Sequence, residues 1–264
     1  VRYAFMLAYD GSRYFGFVRQ PDRPTVEGEL LRAFRRCGLY SDLRKTNYRV
    51  AARTDRGVSA MGQVVALDLM GAPELGELNA ALPRDIAVLS IARVRPEFNP
   101  RTDSTSKHYR YVCEMPPGFD LRGTQRAAKL FEDEHDFRHF CKREPGKPTR
   151  GKFQYVGLTG GKFLTFDFVA RAFLRQQVRR VVQALLDLGT GKLDMGELGS
   201  MLEGRADHSM RPAPPDGLFL VGVRYPRMRF DHDASAVKRF VEYLREFNSP
   251  ARCTMARMLL HKGF

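Results

Sequence analysis

From Arg2 to Val94 the chain switches repeatedly between two hydrophobic spacings, and this alternation constrains its fold more than any other feature. "RYAFMLAYDG" reads as a strand that ends in a turn. "TVEGELLRAFRRCG" sets Val26, Leu30, Leu31 and Phe34 on one helical stripe, with Thr25 as N-cap and Gly38 as stop. "YRVAAR" and "GQVVALDL" are two short strands on either side of a loop, "PELGELNAAL" is a second helix and "DIAVLSIARV" a further strand. The order βαββαβ is the split arrangement of a ferredoxin-like domain.

A second run starts after "RPEFNPRTDSTS", rich in proline and polar residues. "KHYRYVCEM" is a strand and "GTQRAAKLFE" a helix; "GKFQYVGLTG" and "KFLTFDFVA" form a hairpin about "TGGK". "FLRQQVRRVVQALLDLG" is a strong helix, followed by "MGELGSMLEG" and the strand "GLFLVGVRYP". A last helix, "ASAVKRFVEYLREFN", leads into a basic tail. This looks like the first plan with insertions, so the expectation is an α+β chain of two ferredoxin-like (RRM-like) halves, 1–100 and 101–264.

The chain has 44 Lys and Arg against 30 Asp and Glu, a formal charge of +14. That excess calls for an anionic partner, nucleic acid or an acidic membrane. No stretch approaches the ~20 apolar residues of a membrane span, and "VRYAFMLAYDG" lacks a signal-peptide pattern. Cys37, Cys113, Cys141 and Cys253 are far apart, which speaks against a zinc ribbon. His135 and His139 would share a face if helical, but the Glu of an HExxH site is missing. The expectation is a cytoplasmic protein with no metal and no cofactor.

Four features have the residue types that chemistry requires. In "AARTDRGVSAMGQVVAL" one carboxylate, Asp55, stands between Arg53 and Arg56, with Gly57 permitting a sharp turn. The arginines could neutralise phosphate and keep Asp55 ionised for work as nucleophile or general base. Local spacing alone fits a structural Arg–Asp pair better. On the helix 173–188, Arg180 shares a polar face with Gln176, Gln177, Gln183 and Asp187, where a charge costs nothing. Arg179 shares its line with Val182 and Leu186, a margin position that suits a carboxylate or phosphate partner and equally a snorkelling surface arginine. In "KHYRYV", Tyr109 and Tyr111 point to one face of a strand; such pairs stack on unpaired bases, though more often they are core. "YDGSRYFGFVRQP" is either an RNA-contacting loop or an aromatic-anchored turn.

Taken in order, these segments resemble the TruA family of tRNA pseudouridine synthases. "YDGSRYFGFVRQ" is similar to the family's YDGxxYxGxxxQ segment, "RTDRGVSAMGQV" to its catalytic RTDxGVxAxGQV segment, and "FNPRTDSTSKHYRY" to its FxxRxxxxxKxYxY segment. "FLRQQVRRVV" and "GLFLVGVRYP" resemble its two C-terminal segments. The resemblance implies that Asp55 attacks the target uridine. It implies further that Arg53 helps fill the space of the flipped base, Tyr109 packs against uracil, Arg179 pairs with the catalytic carboxylate and Leu218 lines the pocket. It also implies joined antiparallel sheets with a central catalytic cleft, a homodimer in which one tRNA touches both subunits, and targets at positions 38, 39 and 40 of the anticodon arm. Ser59 stands where bacterial members usually have His, Ala52 where they have Gly, and Arg56 where they have a small residue, so this form is nearer the archaeal and eukaryotic members. Two rival readings are a non-catalytic RNA-binding module or tRNA chaperone of the same fold, and a metal-dependent RNase, which would need clustered acidic ligands.

Overall fold

A computed structural model describes residues 1–261 of the chain. The largely apolar run Arg2–Tyr9 forms strand β1, buried along most of its length. Thr25, whose side chain accepts from the Gly28 amide at 3.2 Å, caps helix α1 (Val26–Arg36), and Val26, Leu30, Leu31 and Phe34 lie on its buried face. There follow β2 (Arg49–Val50), β3 (Ser59–Asp68), α2 (Leu75–Ala80) and β4 (Ile86–Arg93), which completes the βαββαβ series. Beyond them come β5 (Ser106–Cys113), α3 (Leu121–Lys129), β6 (Asp133–Asp136), β7 (Arg150–Phe153), β8 (Tyr155–Thr159) and β9 (Leu164–Ala170). The remaining elements are α4 (Gln177–Gly189), α5 (Met195–Leu202), β10 (Leu218–Arg224), β11 (Asp231–His232), α6 (Ala234–Arg245) and α7 (Pro250–His261). These residues pack as two compact units: Val1–Thr105 with the residues from Phe219 on, and Ser106–Leu218.

In the first unit the strands run β4–β1–β3–β2 with every pair antiparallel, the sheet order of the split plan. Phe5 of β1 is fully buried and meets the Phe34 ring of α1 edge-on at 4.9 Å, which fixes the helix against the sheet. β3 is buried over nine consecutive residues, Ser59–Leu67, as expected of a strand covered on both faces. β10 lies parallel to β3, with Phe219 opposite Ser59 and Leu220 opposite Ala60. The approach requires a bare backbone: a Cβ on Gly62 would stand 2.7 Å from the Gly222 Cα.

In the second unit β5 and β8 flank β9, all antiparallel, while β6 and β7 form a separate ribbon. Its core is a train of aromatic rings: Phe131, Phe137, Phe140, Phe153 and Phe168 are all fully buried and meet at centroid distances from 5.1 to 6.5 Å. Both units are of the expected α+β class.

The structure departs from the sequence pattern in three places. Helix α4 starts at Gln177, not at Phe173, because Gln176 adopts φ +59° and the Gln177 side chain accepts from the Leu174 amide to set the start. Arg180 is not on a free polar face: it is half-buried, donates to Met210 O and to Gln176 Oε1, and burial pulls its pKa down. A later segment of the same unit covers that side of the helix, which no periodicity within the helix can show. The basic tail is helix α7, with Ala251, Thr254, Met255 and Leu259 buried.

Candidate active site

Asp55 lies in the irregular stretch between β2 and β3, and the peptide groups around it have fixed partners. Ala51 N donates to Val64 O at 2.8 Å. The fully buried Gln63 grips Ala52 from both sides, accepting from its amide at 3.1 Å and donating to its carbonyl at 2.7 Å. The Thr54 hydroxyl bonds to the Tyr9 hydroxyl at 2.8 Å, and Thr54 O accepts from Phe17 N at 3.1 Å. Past the carboxylate, Gly57 N donates to Tyr14 O at 3.3 Å and Val58 N closes the turn on Asp55 O at 3.1 Å. Gly57 is at φ +80°, so the turn needs a residue without a Cβ. Satisfied backbone on both flanks leaves the half-buried Asp55 side chain on a rigid mount, as chemistry at one atom requires.

The splint on this mount is the segment 10–24. Gly16, at φ +97°, lets it lie close: a Cβ there would be 3.0 Å from Thr54 O and 3.3 Å from Arg56 N. The half-buried Phe15 ring carries two exposed guanidiniums, that of Arg56 at 4.3 Å and that of Arg23 at 4.6 Å from its centroid. Among the described residues neither arginine, nor Arg53, has a carboxylate partner. Unneutralised cations held on an aromatic ring beside a mounted carboxylate suit a polyanion. The sequence pointed to Arg53 and Arg56, but it did not show that Phe15 and Arg23 join them. The only available signal was the aromatic spacing in "SRYFGF" followed by a basic end.

The other expected site residues belong to the second unit. Tyr109, on β5, is 8% exposed and meets Phe173 edge-on at 4.9 Å, so the aromatic core holds its ring. Arg179, on α4, is half-buried; its Nε donates to Ala213 O at 2.6 Å while its own carbonyl accepts from Ala213 N at 3.0 Å. That reciprocal pair straps the 210–213 segment to the helix. Leu218 opens β10 directly after Gly217, whose missing Cβ would touch the Tyr111 ring at 2.7 Å and Val112 O at 2.8 Å. Leu218 is thus delivered beside β5. Arg53 and Asp55 share one loop of the first unit, and Tyr109, Arg179 and Leu218 sit on separate elements of the second. His135 lies in strand β6 and His139 beyond it, so they do not form a helical pair; His135 Nε2 engages Glu132 O, and His139 Nδ1 engages His208 O.

On the opposite face of β5, His108 and Arg110 both bond Asp167 of β9, Arg110 through two contacts at 2.8 and 2.9 Å. Burial works to raise the Asp167 carboxyl, but these bonds outweigh it and hold it below its usual value. A carboxyl depressed by folding stabilises above its unfolded pKa, and that stability is lost as pH falls through the folded value. The melting temperature is therefore expected to drop as pH is lowered below about 4, and Asp167→Asn to flatten that limb. A calorimetric pH series with the same acid limb in both proteins would refute it.

Fold and loop together define a class: a basic α+β protein presenting one mounted carboxylate among unpaired arginines, built to act on a polyanion. Comparison with known proteins supplies the family. The tRNA pseudouridine synthase profile matches residues 127–226. The tRNA pseudouridine synthase A of Thermococcus sibiricus is 37% identical over 255 residues, 94% of this chain and 95% of that protein. The protein of the same name from Pyrococcus abyssi is 38% identical over 251 residues, 93% of each chain. The chain belongs to the tRNA pseudouridine synthase A family and is an isomerase of uridine in tRNA. Among the described residues no helix is long and apolar enough to cross a membrane.

Proposed function

We propose that the chain converts uridine to pseudouridine in the anticodon stem-loop of tRNA, at positions 38–40, with Asp55 as the attacking carboxylate. The observation that carries this reading is the mount of Asp55: a carboxylate on a loop pinned by backbone hydrogen bonds on both flanks, next to arginines that have no carboxylate partner among the described residues. The reaction breaks the N1–C1′ bond, turns the uracil and joins C5 to C1′; the C5 hydrogen leaves as a proton while N1 gains one. Nothing in that balance calls for a redox partner or a group donor. Reaching C5 requires extruding the base, which costs roughly a few kcal/mol, and phosphate contacts offset it.

The remaining roles rest on the resemblance and are part of the proposal. Arg53 fills the space the extruded base leaves, Tyr109 packs on the uracil ring, Leu218 lines its pocket, and Arg179 is the guanidinium partner of the reacting carboxylate. Two local facts support them. The Tyr109 ring is held by Phe173, so it offers a firm surface, and the half-buried Arg179 is held on its helix by the bond from its Nε to Ala213 O. The enzyme works in the cytoplasm as a homodimer whose two subunits share a tRNA.

The test is tritium release from tRNA transcribed with [5-³H]uridine, in EDTA. Release with the RNA intact supports the isomerase and excludes strand cleavage by a metal-dependent nuclease. No release from several tRNAs by folded protein would leave an RNA-binding module. The Phe15 stack adds a quantitative expectation. If Arg23 and Arg56 each neutralise a phosphate, replacing either by Ala lowers the slope of log Kd against log salt by about 0.7–0.9. Filter binding at graded KCl reads this directly, and unchanged slopes in both variants would remove them from the RNA contact.

A further inference from the structure

Asp10 directly follows β1 and is 2% exposed, yet its carboxylate has a full set of donors. The Ser12 amide reaches Oδ1 at 3.1 Å, and the Tyr243 hydroxyl reaches Oδ2 at 2.9 Å. The Arg252 guanidinium spans both oxygens, Nε on Oδ2 at 2.9 Å and NH2 on Oδ1 at 3.2 Å. Tyr243 belongs to α6 and Arg252 to α7, more than 230 residues along the chain from Asp10. Arg252 is itself seated over the Phe247 ring at 4.4 Å, and that ring meets Tyr243 at 5.2 Å.

A second buried carboxylate, Asp85, stands next to this one: Asp10 N donates to Asp85 O at 2.9 Å, and the Tyr14 hydroxyl donates to Asp85 Oδ1 at 2.7 Å. The Asp10 charge acts on Asp85, and neither carboxylate can be buried ionised without a cation, since an isolated buried charge costs several kcal/mol. Among the described residues Arg252 is the cation bonded to Asp10, and Arg13 stands 3.6 Å from Asp85.

What these carboxylates hold is the splint on the Asp55 loop. Asp10 fixes Ser12, and the Gly11 amide next to it donates to Ser59 Oγ at 3.0 Å. Asp85 fixes Tyr14, whose carbonyl accepts from Gly57 N. Phe17, further along the splint, donates its amide to Thr54 O. Each contact lies within the first unit, and together they run from α7 to both flanks of Asp55.

We propose that Arg252, assisted by Tyr243, is a positioning residue for the reaction: it is the counter-ion of Asp10, and through Asp10 the C-terminal helices hold the 10–17 splint that aims the Asp55 carboxylate. It acts through other groups and makes no contact with RNA. The proposal rests on the reading of Asp55 as the reacting group.

Three variants and three readouts test it: Arg252→Gln, Arg252→Lys and Tyr243→Phe, by steady-state tritium release, by filter binding at graded KCl and by hydrogen exchange of peptides covering 52–60. Arg252→Gln is expected to lower kcat about 10- to 100-fold, the range for a misplaced reacting group, with KM for tRNA and the salt slope of binding unchanged. The Gly57 and Val58 amides should exchange faster. Arg252→Lys, which keeps the charge, should recover most of the rate, and Tyr243→Phe should lose less than Arg252→Gln. A folded Arg252→Gln with wild-type kcat and wild-type exchange overturns the proposal. So does a raised KM with a shallower salt slope, because Arg252 would then be a phosphate contact. Equal losses in the Lys and Gln variants overturn the counter-ion role. If the wild type releases no tritium, the catalytic reading of Asp55 fails, and hydrogen exchange still decides whether Arg252 orders the loop.

Discussion

Asp55→Asn is expected to abolish tritium release from [5-³H]uridine tRNA, by at least about 10³-fold, the scale for removal of an attacking nucleophile. The substitution is nearly isosteric, and the contacts that shape the loop are made by neighbouring backbone groups, Gln63 and Thr54, so the fold should be kept. Affinity for tRNA should hold or rise slightly. A negative charge disappears between Arg53 and Arg56, and both cations remain for phosphate. The pairing of lost turnover with retained binding is the diagnostic. A non-catalytic RNA module would show no release in either protein, and a general electrostatic role for Asp55 would change binding and rate together. Release by folded Asp55→Asn at the wild-type rate would retire Asp55 as the reacting group.

The second large effect concerns a residue with no functional group. A Cβ on Gly11 would stand 2.1 Å from Val58 O, 2.5 Å from Val58 C and 3.0 Å from Val58 N. All three are backbone atoms, so no side chain can swing away, and ordinary contact needs about 3.4 Å or more. Gly11→Ala must therefore move the splint or the residues following Asp55 by more than about 1 Å. A shift of that size at a reacting group costs on the order of 10²-fold in rate. Overpacking adds roughly 1–3 kcal/mol of lost stability. Tritium release and a urea midpoint measure the two effects on one sample. Gly71→Ala is the control, because nothing lies within 4 Å of the position where its Cβ would be. Wild-type rate and midpoint in Gly11→Ala would mean that the two loops are not coupled.

Much of the fold was legible because its signals are local. The stripe of α1, the Thr25 cap, the strand β1 and the alternation of β5 each lie within a dozen residues, and the structure realises all of them, although β1 is buried along most of its length. The α4 start was misread because Gln176 enters the left-handed region, which residue type does not announce. The cover over Arg180 comes from residues 30 positions later, and a helical wheel cannot see it. Helix α7 was missed for a different reason. Its basic residues drew the reading, although Ala251, Met255 and Leu259 repeat every fourth position and mark a buried face. Within the site, the Asp55 loop stood out through its charges and glycine, and the family motif gave it a meaning. The bonds that immobilise it come from Gln63, Tyr14 and Phe17, whose roles depend on which strands and loops become neighbours.

The first unit is made from both ends of the chain, with Ser106–Leu218 between its two parts. During synthesis at roughly 5–20 residues per second, Asp10 leaves the ribosome 242 residues ahead of Arg252. For most of that interval Asp10 has neither the guanidinium nor the Tyr243 hydroxyl it needs once buried. The βαββαβ series can pair its strands in that time, whereas the Asp10 side of the splint gains its counter-ion only when α7 arrives. On the proposed role of Arg252, competence for chemistry waits on helix α7: a truncation before residue 252 is expected to bind RNA without an aimed carboxylate.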